Sequence, residues 1–183
     1  IWRIMMSNIE VLQHNFETIK PESIFTSIIQ DEDMNKSIID EIRKTGDVQD
    51  YKTNVKAYMT GWNMNGKPGF DKLEKIIIDM TKYLSKIYYN RTIEPMISDM
   101  WGMIYKKGDY AMVHDHWPSL WSGVYYIEVP DNSGDLYFPQ LKQTITPQNN
   151  QMIVFEGKTR HGVRESLSDK ERIAVSFNVK ETI

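Results

Sequence analysis

Apolar residues recur in two different rhythms along the chain, and the rhythm changes near residue 97. Met34, Ile38, Ile39 and Ile42 fall on one helical face, the acidic run Asp31 to Asp33 suits the start of that helix, and Gly46 offers a stop. A second, stronger pattern runs from about Pro68 to Tyr89. There Phe70, Leu73, Ile76, Ile77, Met80, Leu84 and Ile87 return at threes and fours, and Asn90 can end the helix. Between the two, Thr60 to Gly69 holds three glycines and a proline and reads as a loop.

From about Ile97 the chain breaks into short runs of β type: Met100 to Tyr105, Tyr110 to His116, Leu120 to Val129, Leu136 to Phe138, Gln151 to Phe155, His161 to Glu165 and Arg172 to Val179. Turn signals separate them at Lys107-Gly108-Asp109, at 130–134, at 147–150 and at 166–169. About eight short strands after a helical segment predict an α+β protein, mainly β with N-terminal helices, in which a jelly roll or barrel is braced on one side by the helices. No internal repeat or low-complexity tract interrupts this plan.

Composition narrows the classes. A chain of 183 residues, 40% of them apolar, can bury one hydrophobic core and is short for two, so a single domain over 1–183 is expected, with 1–96 as mainly helical support for a β core over 97–180. The 22 basic and 25 acidic residues sum to a formal charge of -3, which supplies no large basic surface for nucleic acid. With no cysteine, thiolate chemistry and disulfides drop out. No apolar run reaches the roughly 20 residues of a membrane span, and Ile1 to Met6 is too short for the core of a signal peptide. A cytoplasmic protein without membrane contact is the resulting expectation, and the apolar and aromatic content leaves room for a homodimer.

Three of the four histidines lie in the β half, two of them in His114-Asp115-His116. Residues i and i+2 of a strand point to the same face, so both imidazoles can converge on one point while Asp115 points away. His161, in Arg160-His161-Gly162-Val163, can add a third ligand from a later strand. Taken singly, each histidine is as readily a core or surface side chain satisfied by hydrogen bonds. Three imidazoles suit zinc, copper, iron and nickel alike. His14, in the helical part, has no partner motif and reads as structural.

In the last strand Arg172, Ala174, Ser176 and Asn178 alternate with Ile173, Val175, Phe177 and Val179. A surface strand has this pattern too. An inward arginine, however, offers a fork for a small carboxylate, and Tyr126 adds a phenol donor if its face of the strand points inward.

The order His114-Asp115-His116, Ser122-Gly123-Val124-Tyr125-Tyr126, Met152-Ile153-Val154-Phe155, His161-Gly162-Val163 and Arg172 to Asn178 resembles the double-stranded β-helix of the iron(II)/2-oxoglutarate-dependent oxygenases. Within that superfamily it is most similar to small uncharacterised oxygenases of bacteria and phages, with prolyl hydroxylases more distant. The resemblance covers about residues 97 to 180 and implies a jelly roll of cupin type braced by helices. It implies Fe(II) held by His114, His116 and His161, and 2-oxoglutarate as cosubstrate with its distal carboxylate on Arg172. Tyr126 and Ser176 would assist there, although many members have a serine two residues after the arginine, where this chain has Ala174. His116 stands where the superfamily's facial triad has a carboxylate, and Asp115 would serve only if a β-bulge turned it inward. The implied reaction takes molecular oxygen and a small molecule or protein side chain, and releases succinate and carbon dioxide. Trp101, Trp117, Trp121 and Tyr105 are candidates for the substrate pocket. Two alternatives remain open on the residues: a three-histidine enzyme without 2-oxoglutarate (a thiol dioxygenase or a zinc enzyme), and a non-catalytic β-barrel binding module.

Overall fold

The structure, a computed structural model, describes residues 23–47 and 53–182. His14 and the stretch from Ile1 to Met6 lie outside the described residues. The elements in chain order are β1 (Ile24–Ile28), α1 (Glu32–Thr45), β2 (Val55–Lys56), β3 (Tyr58–Met59), α2 (Phe70–Tyr89), β4 (Pro95–Tyr105), β5 (Tyr110–His114) and β6 (Trp121–Glu128). They continue with β7 (Leu136–Phe138), β8 (Gln143–Ile145), β9 (Gln151–Glu156), β10 (His161–Val163) and β11 (Arg172–Glu181).

Both helices begin and end where local chemistry directs. The Asp31 side chain accepts from the Met34 N–H at 3.0 Å, Glu32 and Asp33 follow in the first turn, and Gly46 leaves the helix at φ 83°. Asn90 ends α2 in the left-handed region, its N–H donating to the Ser85 carbonyl. The expectation of mainly helical support over the first half needs a correction in detail. It also contributes β1, β2 and β3, each completed by pairing with a strand from the second half.

The strands form two antiparallel sheets, one in the order β1-β9-β6-β11-β4-β3 and one in the order β2-β5-β10-β7-β8. The larger sheet is buried on both faces. On its outer face Ile173, Val175, Phe177 and Val179 of β11 join Met100 and Ile104 of β4 against Ile38 and Ile42 of α1 and Phe70, Leu73 and Ile77 of α2. On its inner face Trp101, Met103, Tyr105, Val124, Tyr126, Ile153, Phe155 and Ala174 meet Leu136 and Phe138 of the smaller sheet. Each large apolar side chain so buried contributes roughly 1.5–3 kcal/mol relative to exposure. The alternation in β11 therefore separates an inner polar face from an outer apolar one, and no face of it is a protein surface.

One irregularity re-aims side chains near the barrel's open end. On β4, Asp99 pairs with Asn178 but Ile97 pairs with Val179, so Ser98 is an extra residue. This bulge shifts the parity of the strand: Ile97 joins the outer core with Met100, while Asp99 falls in step with inward Trp101 and Met103. No helix among the described residues is long and apolar enough to cross a membrane.

Candidate metal centre

The two strands that carry His114 and His161 are neighbours in the smaller sheet, and these residues stand directly opposite each other in its register. Opposed positions share a face, which puts the two imidazoles 4.5 Å apart between ring centroids. His116 arrives differently. The strand expected over Tyr110 to His116 ends at His114, and His116 lies past its end, where its N–H donates to the Gly157 carbonyl at 2.7 Å. That contact holds the His116 loop against the turn between β9 and β10. A Cβ on Gly157 would lie 2.1 Å from the Ser119 carbonyl oxygen, so only glycine permits the approach.

His114, His116 and His161 thus come together, with one nitrogen from each within 4.8 Å of the others. The Nδ1 atoms of His114 and His161 lie 2.7 Å from the Met112 carbonyl and 3.0 Å from the Thr159 carbonyl. A carbonyl only accepts, so the proton sits on Nδ1 and the Nε2 lone pair is left for a metal. Burial lowers the pKa of all three: His114 below its usual value, His116 to about 4 with help from the charge of His114, and His161 well below the usual range. Three neutral imidazoles with lone pairs aimed at one point form a donor set suited to a divalent transition metal. Asp115 stays outside the cluster; it is exposed, and its Oδ1 accepts from the Trp117 N–H at 3.1 Å.

Arg172 lies deeper, at 1% exposure, between the rings of Tyr105 and Tyr126, with its guanidinium carbon 4.1 and 5.7 Å from their centroids. Its Nη1 donates to the Ser133 and Gly134 carbonyls at 2.7 and 2.6 Å, while its buried Nε has no hydrogen-bond partner. A buried guanidinium bonded to main-chain carbonyls, with one N–H unsatisfied, is costly unless an anion joins it. Burial also pushes the Tyr105 phenol up to about 12 and raises that of Tyr126, keeping both protonated. The Ser176 hydroxyl faces the same interior. Between it and the Tyr105 hydroxyl lies the Met103 thioether, at 3.9 and 3.8 Å. A cavity of about 40 Å³ connects Tyr105, Met103 and Ser176 with the three histidines.

A second cavity of about 250 Å³ opens from His114 and His116 to the outside, lined by Asn54, Trp62, Asp99, Trp101 and Asn178 among others. Of the aromatic residues expected at a substrate pocket, Trp101 lines this opening and Tyr105 lines the inner cavity. Trp121 does not; it faces the helices, with its Nε1 donating to Ser85 Oγ at 2.8 Å. Trp117 is 75% exposed and borders a different groove.

Comparison with known proteins bears on this arrangement. Residues 99–146 match the family described as "Putative 2OG-Fe(II) oxygenase". No curated protein sequence matches the chain. Among solved structures, the viral collagen prolyl hydroxylase vCPH of Paramecium Bursaria Chlorella virus-1 superposes with a TM-score of 0.68 at 18% identity, covering 87% of this chain and 96% of its own. The likeness to the 2OG-Fe(II) oxygenases is therefore one of sequence and of fold. A Pseudomonas putida prolyl-4-hydroxylase gives a TM-score of 0.69 at 11% identity over 91% of this chain and 97% of its own. HygX of Streptomyces hygroscopicus, solved with nickel and 2-oxoglutarate bound, gives 0.66 at 11% identity over 93% and 86%. The segment match and the fold both liken the chain to the 2OG-Fe(II) oxygenases. The double-stranded β-helix expected from the resemblance is the fold these neighbours share.

Sequence reasoning passed over Asp99 and Trp62. For Asp99 the available signal was its i, i+2 spacing from Trp101 on one strand.

Proposed function

We propose that the protein is an Fe(II)- and 2-oxoglutarate-dependent dioxygenase that hydroxylates a small molecule or a protein side chain, with His114, His116 and His161 as the metal ligands. The observation that carries this reading is the histidine cluster together with a buried, incompletely satisfied Arg172, whose guanidinium lies over the ring of Tyr105, a wall of the cavity that reaches the three histidines. Iron, when bound, supplies the activation of oxygen that couples loss of carbon dioxide from 2-oxoglutarate, leaving succinate, to insertion of one oxygen atom into a substrate C–H bond.

The chain's own residues orient and shield. His114 and His161, each fixed by a main-chain carbonyl, present a lone pair without needing to lose a proton. Three neutral ligands would leave the charge of a bound ion to be met by an anion, and a carboxylate of 2-oxoglutarate would supply it. Arg172 offers its free N–H to the far carboxylate, with the protonated phenol of Tyr126 and the hydroxyl of Ser176 beside it. Admission of the cosubstrate requires Met103 to swing from between Tyr105 and Ser176, a movement an unbranched thioether makes easily. Phe155, Phe138 and Leu136 keep bulk water from the inner cavity.

The test is succinate release from 2-oxoglutarate that depends on added iron, together with calorimetry of 2-oxoglutarate binding to the nickel-loaded protein. Arg172→Ala is expected to weaken cosubstrate binding by about tenfold or more, equivalent to the loss of one charge-assisted hydrogen bond, and to leave nickel binding nearly intact. Unchanged cosubstrate affinity removes Arg172 from the site. Absent succinate, with zinc retained through purification, favours the zinc enzyme instead.

A further inference from the structure

The opening beside the histidines has a definite chemical character. Its walls bring together two tryptophans and two carboxylates: Trp62, half exposed; Trp101, 7% exposed with its indole N–H unpartnered; Asp99; and the exposed Asp115, whose Oδ1 accepts from the Trp117 N–H. The indole rings stand 6.4 Å apart at 50°, and Trp101 continues to His116 at 6.1 Å between centroids, so the aromatic wall reaches the metal cluster.

Asp99 is held by neutral groups. Its Oδ2 accepts from Ser98 Oγ at 2.8 Å and from Asn178 Nδ2 at 3.4 Å. The Asn178 amide is oriented by Ser122 Oγ, which donates to its Oδ1 at 2.8 Å and so turns the NH2 toward Asp99. Among the described residues no lysine, arginine or histidine forms an ion pair with Asp99, whereas Asp31, Glu171 and Glu181 are each paired with one. The unbroken register of β4 with β11 from Tyr105 to Asp99 keeps Asp99 on the inner face with Trp101, and the bulge at Ser98 ends that run. A fixed amide and a carboxylate with no ion-pair partner among the described residues thus converge at the mouth of the metal pocket.

We propose that this opening selects substrates bearing a cationic nitrogen, a protonated amine or a guanidinium, received by the carboxylate of Asp99 and the faces of Trp62 and Trp101. A carboxylate without a cation partner attracts one, and an indole face binds a cation most strongly when partly desolvated, as at the buried Trp101. A neutral ring would also stack on the tryptophans, but it leaves Asp99 without a role. The inference deepens the oxygenase reading by naming a substrate class, and its binding part can be measured without turnover.

The experiment follows the indole N–H resonances of the nickel- and 2-oxoglutarate-loaded protein during titration with three matched probes. These are N-acetyl-lysine amide (cationic), its side-chain-acetylated form (neutral) and N-acetyl-glutamate amide (anionic). The cationic probe is expected to shift Trp62 and Trp101 saturably and to bind at least about tenfold more tightly than the other two. Asp99→Asn should bring the three affinities together, and Asp99→Glu should restore part of the preference. Equal binding of the three by the wild-type protein, a requirement for no variant at all, overturns the inference, as does the lack of a saturable shift with the cationic probe. A preference that survives in Asp99→Asn overturns the role of Asp99. Succinate release measured on the wild-type protein loaded with iron in place of nickel separates the two readings. Succinate without discrimination among probes leaves the oxygenase and removes the cation site; discrimination without iron-dependent succinate does the reverse.

Discussion

An imidazole at position 116 and a carboxylate there would leave a bound divalent ion with different net charge, so the residue that completes the metal site decides how much anionic character the cosubstrate must bring. His116 carries a neutral side chain into the cluster, while the neighbouring Asp115 is spent on the Trp117 N–H. His116→Ala is therefore expected to reduce nickel or iron affinity beyond the about 10–100-fold typical of residues that merely stand behind a ligand. Asp115→Ala should change it by less than that, and isothermal titration of both variants with Ni(II) makes the comparison. Metal binding lost in Asp115→Ala and kept in His116→Ala would reverse the assignment. The convergence of the three histidines was legible in the sequence. The route of His116 was not, because it depends on a hydrogen bond to Gly157, 41 positions further on.

At the scale of elements, the loop after β5 and the turn between β9 and β10 behave as one clasp, closed through Gly157. Adding a Cβ there meets the Ser119 carbonyl at 2.1 Å, and backbone must shift to relieve it. Gly157→Ala is expected to cost about 1–3 kcal/mol of stability and to weaken metal binding, since the displaced backbone carries the acceptor of the His116 N–H. Gly66→Ala is the comparison: with φ +74° and nothing within 4 Å of its Cβ, it bears conformational strain alone and should leave metal binding unchanged. Denaturant unfolding and metal titration on both variants check the contrast. Helical periodicity placed both helices nearly to the residue, because caps and apolar spacing agree. Period two placed most strands of the second half, and it contained more than was taken from it. Trp121 and Tyr126 differ by an odd number, so an inward Tyr126 requires an outward Trp121, as found. The two-residue strands β2 and β3 could not be read, since nothing local marks them and only their long-range partners make them strands. The bulge at Ser98, which turns Ile97 to the outer core, escaped for the same reason.

For the molecule as a whole, the larger sheet divides two cores of different dependence. The outer core, from Ile38 and Ile42 through Phe70 and Leu73 to Val175 and Phe177, contains no metal-ligating group and is sealed by both helices. The inner core ends in the histidine cluster, with His161 against Phe155 at 4.5 Å between ring centroids. Because folding draws on both, a bound metal is expected to add to the stability of an already packed protein and not to create it, unlike small domains whose fold is made by their ion. A ligand present at about 100 times its Kd stabilises the folded state by about 2.7 kcal/mol, which in a chain of this size corresponds to a rise in melting temperature of roughly 5–11 °C. Thermal unfolding with a chelator, with Ni(II), and with Ni(II) plus 2-oxoglutarate should therefore give three cooperative transitions at successively higher temperature. The step due to 2-oxoglutarate should vanish in Arg172→Ala while the nickel step remains. A protein that loses its cooperative transition on chelation would show that the outer core cannot hold the fold alone, and a 2-oxoglutarate step that persists in Arg172→Ala would place the cosubstrate elsewhere.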